Sequence, residues 1–173
     1  LYSSFTGDRE ITAICSGEND NVLYVALQNY AILKVTKSEL IAGSGINLAV
    51  TNLVYNTLVG SRIKAMVYID AFKTLYIATA SGSVSAYDFN NDTYHTADVT
   101  SSDYSETDKS RYAITRGDDA IGNVSINCIT TDGNNLIVMG AHGRVASCSL
   151  SDFMWTSYRT AEADIGNYSS NNS

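Results

Sequence analysis

One pattern of short apolar segments occurs three times along this chain in the same order, and a repeat of that kind restricts the fold more than any other feature. The first unit contains residues 11–15 (Ile-Thr-Ala-Ile-Cys), 23–27 (Leu-Tyr-Val-Ala-Leu) and 32–35 (Ile-Leu-Lys-Val). The second contains 63–67 (Ile-Lys-Ala-Met-Val), 75–78 (Leu-Tyr-Ile-Ala) and 84–87 (Val-Ser-Ala-Tyr). The third contains 126–130 (Ile-Asn-Cys-Ile-Thr), 136–139 (Leu-Ile-Val-Met) and 145–148 (Val-Ala-Ser-Cys). First segments start 52 and 63 residues apart, and second segments 52 and 61, so two independent markers keep step.

The segments are short, rich in β-branched residues and tyrosine, and separated by turn-forming sequences, which predicts strands. Nowhere do apolar residues recur with a helical period over a helix length. Residues 17–21 (Gly-Glu-Asn-Asp-Asn), 70–73 (Asp-Ala-Phe-Lys) and 132–135 (Asp-Gly-Asn-Asn) supply the Gly and Asx chemistry of tight hairpins. A weaker fourth segment is expected at 48–55, 111–115 and 154–159, ahead of Gly60, Gly122 and Gly166. Each unit therefore predicts a four-stranded antiparallel meander in an all-β chain. The units span about residues 8–60, 61–122 and 123–166, with a Ser/Asn-rich tail at 167–173. First strands are the least polar, and second strands are expected to be covered on both faces.

The pattern Ile-x-Ala-Ile, Leu-Tyr-Val-Ala and Gly-x-Val resembles the blades of the β-propeller repeat superfamily, of regulator and WD-like type. Residues 140–145 (Gly-Ala-His-Gly-Arg-Val) are nearest to a WD-repeat turn, although the chain has no Trp-Asp dipeptide. The resemblance implies three propeller blades with the first strand at the central channel and the fourth at the rim. Three blades are too few to close a ring, since propellers have about four to eight. The expectation is an incomplete ring, completed by further blades of a longer propeller or by another chain.

A net charge of −7, with 11 Lys and Arg against 18 Asp and Glu, offers no basic stripe for phosphates, so nucleic acid is not an expected partner. No apolar run has the roughly 20 residues of a membrane-spanning helix, and membrane insertion is not expected. Cys15, Cys128 and Cys148 lie inside apolar strand patterns without metal-ligand spacing and are predicted to be buried free thiols.

The chemistry-bearing residues form no catalytic set. His95 and His142 are the two histidines and fall in different units. The sequence lacks G-x-S-x-G, a P-loop and a dinucleotide fingerprint, so no cofactor is expected. Asp118 and Asp119 form an acidic pair near Gly117 and Gly122, a weak metal candidate that reads more simply as a solvated turn. Residues 90–110 read as an acidic, tyrosine-bearing insertion carrying Tyr94, His95 and Tyr104, suited to partner contact. Tyr30, Tyr94, His142 and Trp155 are the aromatic candidates for stacking on a glycan. The expected function is a non-enzymatic structural or protein-interaction scaffold within a larger assembly, such as a virion or tail complex. The alternative is a glycan- or small-ligand-binding propeller, or part of an enzyme whose site draws on blades outside this chain.

Overall fold

The computed structural model describes residues 10–19, 21–28, 32–36, 51–54, 61–82, 84–95, 125–151 and 155–159. They form twelve strands in three antiparallel four-stranded sheets. The first sheet contains β1 (Ile11–Ser16), β2 (Val22–Leu27), β3 (Ile32–Thr36) and β4 (Thr51–Val54). The second contains β5 (Ile63–Ile69), β6 (Thr74–Thr79), β7 (Val84–Asp88) and β8 (Thr93–His95). The third contains β9 (Ile126–Thr131), β10 (Asn135–Gly140), β11 (Arg144–Ser149) and β12 (Trp155–Arg159). Each sheet is a meander in which every strand pairs with its sequence neighbour, so the segment order in each unit becomes the strand order.

Register repeats along with sequence. Tyr24 faces Lys34, Tyr76 faces Ala86 and Ile137 faces Ser147 across the second and third strands. In all three sheets the first pair of strands carries a bulge directly after its leading isoleucine, at Thr12, Lys64 and Asn127. Beyond the bulge one backbone bond closes each pair: the amides of Gln28, Ala80 and Ala141 donate to the carbonyls of Glu10, Arg62 and Ser125. A bulge lets one strand bend while the pairing continues, and its threefold recurrence makes it part of the repeat.

The sheets stack in chain order, with β1 beside β5 and β5 beside β9. Because side chains alternate along a strand, each sheet has a forward face toward the next unit and a back face toward the preceding one. Val22, Tyr24, Ala26 and Ile32 on the first forward face bury against Ile63, Met66, Leu75, Ile77 and Tyr87 on the second back face. Ile69, Tyr76, Ala78, Val84 and Ala86 likewise bury against Ile126, Ile129, Leu136, Val138, Ala146 and Cys148 of the third sheet. These two seams form most of the core. A smaller cluster of Val25, Leu27, Leu33 and Val35 lies on the first back face.

The structure departs from the sequence reading in three places. The fourth strand of the second sheet is Thr93–His95, paired with Asp88, Tyr87 and Ala86, and residues 111–115 lie outside the described residues. Its turn is set by Asp88, whose carboxylate accepts from the Asn90 amide and Asn91 Nδ2, each at 2.8 Å, and by Asp92 at φ 52°. An Asx side chain bonding its own turn substitutes for the apolar signal that a strand this short lacks. Cys148 is buried as expected, but Cys15 and Cys128 are only partly covered. Lastly, β2 and β6 are almost wholly buried, whereas β10 alternates between buried and part-exposed positions. First strands, despite their composition, are more open than second strands.

Candidate functional site

The residues singled out in the sequence are not brought together. Tyr94 and His95 lie on β8, at the outer edge of the second sheet, opposite Tyr87 and Ala86. Trp155 opens β12, the outer strand of the third sheet, opposite Cys148. His142 sits in the short 3-10 turn Ala141–Gly143 between β10 and β11. In a meander that turn lies at the opposite end of the sheet from the turns joining first to second and third to fourth strands. Tyr30, Tyr104, Asp118 and Asp119 fall outside the described residues. Among the described residues no three His, Cys, Asp or Glu side chains group as metal ligands.

The features with the most chemistry lie where the two seams open at the end carrying the first-to-second-strand turns. In the first seam Tyr24, Tyr68, Tyr87 and Phe89 pack ring against ring. Phe89 lies 4.9 Å from Tyr87, 5.2 Å from Tyr24 and 5.8 Å from Tyr68 between centroids, in tilted or edge contact, the arrangement that aromatic quadrupoles favour. Lys34 Nζ stands 5.9 Å above the Phe89 ring and pairs with the Glu18 carboxylate, which also accepts from the Tyr24 hydroxyl. Tyr87 donates to Asp92.

Local chain geometry makes room for this cluster. A Cβ on Gly17 would lie 2.7 Å from Val22 Cγ1 and 2.8 Å from Tyr24 Cε2, so glycine alone admits the Tyr24 ring at that approach. Burial works to raise the Glu18 carboxyl, but hydrogen bonds from Lys34 and Tyr24 outweigh it and hold the group below its ordinary value. Burial, reinforced by the Asp92 bond, pushes the Tyr87 hydroxyl up to about 12. Tyr68 is likewise pushed up to about 12, by burial and then by Asp70. Burial also drives Cys15 up to about 12, which makes its thiol a poor nucleophile at neutral pH. The cluster's ordered contacts are ring packing and the bonds of Glu18 and Asp92.

The second seam holds a cavity at its turn end. It has a volume of about 340 Å³ and is lined by Ile69 and Phe72 of the second sheet, Asn134 and Asn135 of the third turn, and Ser149 and Leu150 at the end of β11. Repeat alignment explains the difference. Where the first seam has Lys34, Tyr68, Tyr87 and Phe89, the second has Ala86, Thr131, Cys148 and Leu150. The Phe89 and Leu150 amides bond the equivalent carbonyls of Lys73 and Asn134, which fixes that pairing. The third first-to-second-strand turn is also two residues shorter, since spacing falls from 63 at the first strands to 61 at the second. Tyr24 has a buried equivalent in Tyr76, and of the replaced positions only Leu150 lines the cavity, beside the shorter turn. At its rim Asp132 accepts from the amides of Asn134 and Asn135, at 2.8 and 2.7 Å. The Asn135 side chain, and then these amides, hold the Asp132 carboxyl below its ordinary value.

Sequence reasoning passed over both places. The available signal was the drop in repeat spacing from 63 to 61 together with the large-to-small replacements between aligned units.

Neither a known family model nor a curated protein matches the sequence. Solved structures do match the fold. A computationally designed protein, Ika8, aligns with a TM-score of 0.53 at 12% identity, over 86% of this chain and 36% of that one. The β-propeller domain of Cps50 (Swd1) from Myceliophteria thermophila aligns with a TM-score of 0.50 at 6% identity, over 86% of this chain and 38% of that one. The chain thus spans less than two-fifths of the structures that it matches. With sheet order, register and seams all repeating in step, its fold is that of β-propeller blades, three tandem four-stranded meanders.

Proposed function

We propose that the chain serves as a non-enzymatic protein-interaction scaffold, with its two outward sheet faces accepting further blades of a larger propeller assembly. One observation carries this reading: positions that are buried inside the seams are exposed where the repeat stops. On the back faces Ile63 and Met66 are 0% and 5% exposed, yet their first-sheet equivalents Ile11 and Ile14 are 55% and 57% exposed. On the forward faces Ala26 and Ala78 are buried, while the equivalent Met139 is 39% exposed and Ile137 and Val145 are only half-buried.

Isoleucine and methionine at such positions are side chains suited to a blade interface. Fully burying such a side chain from water is worth roughly 1.5–3 kcal/mol, and covering what remains exposed here about half of that.

Light scattering on the 173-residue chain tests the reading. Exposed blade faces should drive it above 18.6 kDa, and Ile14→Lys with Met139→Lys should return it to monomer without loss of β-sheet signal. A wild-type chain that stays monodisperse at the monomer mass would overturn the proposal.

A further inference from the structure

The turn between β9 and β10, residues 132–135, contains the chain's one Asp-Gly step; no other Asp, and no Asn, precedes a glycine in the 173 residues. Such a step has a chemistry of its own. The Gly133 amide nitrogen can attack Asp132 Cγ: an N–Cγ bond forms, the Cγ–OH bond breaks, and water leaves with the amide proton. The product is a five-membered succinimide. Water then reopens the ring at either carbonyl, giving back aspartate or isoaspartate, in which the main chain runs through the former side chain. Net composition is unchanged, and water is the one co-reactant. Glycine favours the attack because it has no Cβ to obstruct a close approach.

Exposure favours this reaction and hydrogen bonding restrains it. Asp132, Gly133 and Asn134 are all exposed, and a Cβ at Gly133 would meet nothing within 4 Å, so water has free access. Yet both reacting groups are engaged. The Gly133 amide donates to Thr131 Oγ1 at 3.0 Å, and the Thr131 hydroxyl in turn donates to the Asn135 carbonyl at 2.8 Å. Asp132 Oδ1 accepts from the amides of Asn134 and Asn135 at 2.8 and 2.7 Å, and Oδ2 accepts from Asn135 Nδ2 at 3.0 Å. The carboxyl group is thereby held on the amides that follow Gly133, and the bonds from Asn135 and Asn134 favour its charged form, the poorer electrophile. Attack on Cγ requires the Thr131 bond broken and the Asp132 bonds released, which amounts to a local opening of the turn.

We propose that Asp132 is a site of isoaspartate formation gated by opening of this turn, with the Thr131 hydroxyl as the positioning group that keeps the Gly133 nitrogen from the Asp132 carboxyl. Isoaspartate adds one methylene to the main chain and leaves a carboxylate attached directly to Cα. That shorter arm cannot repeat the present bonds to Asn134 and Asn135. Both residues line the cavity of the second seam, so the modification reshapes its rim.

The test ages the 173-residue chain, folded and in urea, at one pH and temperature. Isoaspartate is counted by methyl transfer from S-adenosylmethionine with an isoaspartyl methyltransferase and assigned to residue 132 by peptide mapping; circular dichroism verifies that each variant is folded. The site should accumulate isoaspartate in urea, and at least about tenfold more slowly in the folded chain. Thr131→Val should raise the folded rate about 2–10-fold, the worth of one hydrogen bond, and leave the rate in urea unchanged. Thr131→Ser, which keeps the hydroxyl, should stay near wild type. No isoaspartate at residue 132 in urea, equal rates in the folded and unfolded chain, or a folded Thr131→Val rate no higher than wild type would each overturn the proposal. A Thr131→Ser rate as high as that of Thr131→Val would equally remove the hydroxyl from its assigned role.

Discussion

The two seams of this molecule are built from equivalent positions and have different contents. Between the first and second sheets the turn end is closed by four aromatic rings and a Lys34–Glu18 pair. Between the second and third sheets the same end is a cavity. The deeper parts do not differ in kind: both are close-packed Ile, Leu, Val, Ala and Tyr. A repeat fold thus needs only its inner packing to hold neighbouring blades together, and the turn end of each seam is free to be filled or left as a recess.

That contrast is broken most directly by removing a ring. Tyr24 is fully buried and Leu150 only partly covered. Tyr24→Ala should therefore cost about 3–5 kcal/mol, and Leu150→Ala less than about 2 kcal/mol, because the latter merely enlarges an existing space. Urea unfolding of the two variants gives the comparison, and equal costs would mean that the seams are equally closed in solution.

Two glycines sharpen it next. Gly17 sits where a Cβ would collide with Val22 and Tyr24, whereas Gly133 has nothing within 4 Å but adopts φ +94°. Gly17→Ala should cost roughly 1–3 kcal/mol through overpacking. Gly133→Ala should cost about 1–2 kcal/mol through backbone strain alone. Core amide exchange separates the causes: the first should loosen amides around Tyr24, and the second should leave the core protection pattern unchanged.

These differences also mark how far the sequence could be read. The strands of the three units were legible because each combines an apolar run with flanking turn residues; β2, β6 and β10 fall within one residue of their expected bounds. The fourth strand of the second sheet was not legible, because Thr93–His95 is three residues long and is positioned by the Asp88 side chain rather than by apolar alternation. The openness of β10 was hidden as well. Val22–Leu27 and Asn135–Gly140 are similarly apolar runs, and only the presence or absence of a covering sheet separates them. The recess depends on which side chains meet across sheets, a relation between units that a single unit's pattern does not contain.

The ionisable groups give a smaller, pH-dependent form of the comparison. The folded-state value of Glu18 is depressed, so its contribution is present above the unfolded carboxyl range and is lost as pH falls through the folded value. Tyr87 and Cys15 are raised, to about 12 each from 10.0 and 9.0. Their contributions are present below the unfolded values and are lost as pH rises from about 9 toward 12. The first seam should consequently weaken at both extremes. Glu18→Gln should flatten the acid limb of a stability profile and Tyr87→Phe part of the alkaline limb. An acid limb unchanged by Glu18→Gln would show that the Lys34–Glu18–Tyr24 contacts do not persist in solution.

The smallest effect lies at the other end of the first seam. Arg62 Nη2 reaches Glu10 Oε2 at 2.9 Å, joining the first and second sheets beside the turns between their second and third strands. The equivalent of Arg62 in the third sheet is Ser125, so the second seam has no matching pair at that position. Glu10 is more than half exposed and Arg62 somewhat less than half, and such solvent-accessible pairs contribute about 0.2–1 kcal/mol and are screened by salt. Glu10→Gln should therefore lower stability by under about 1 kcal/mol at low ionic strength, and by less still in high salt. The loss should appear in the double-mutant cycle with Arg62→Gln, measured at low and high salt. A coupling that survives high salt would mean the pair is more shielded than its exposure implies, and that the first seam is tied at both ends rather than at its aromatic end alone.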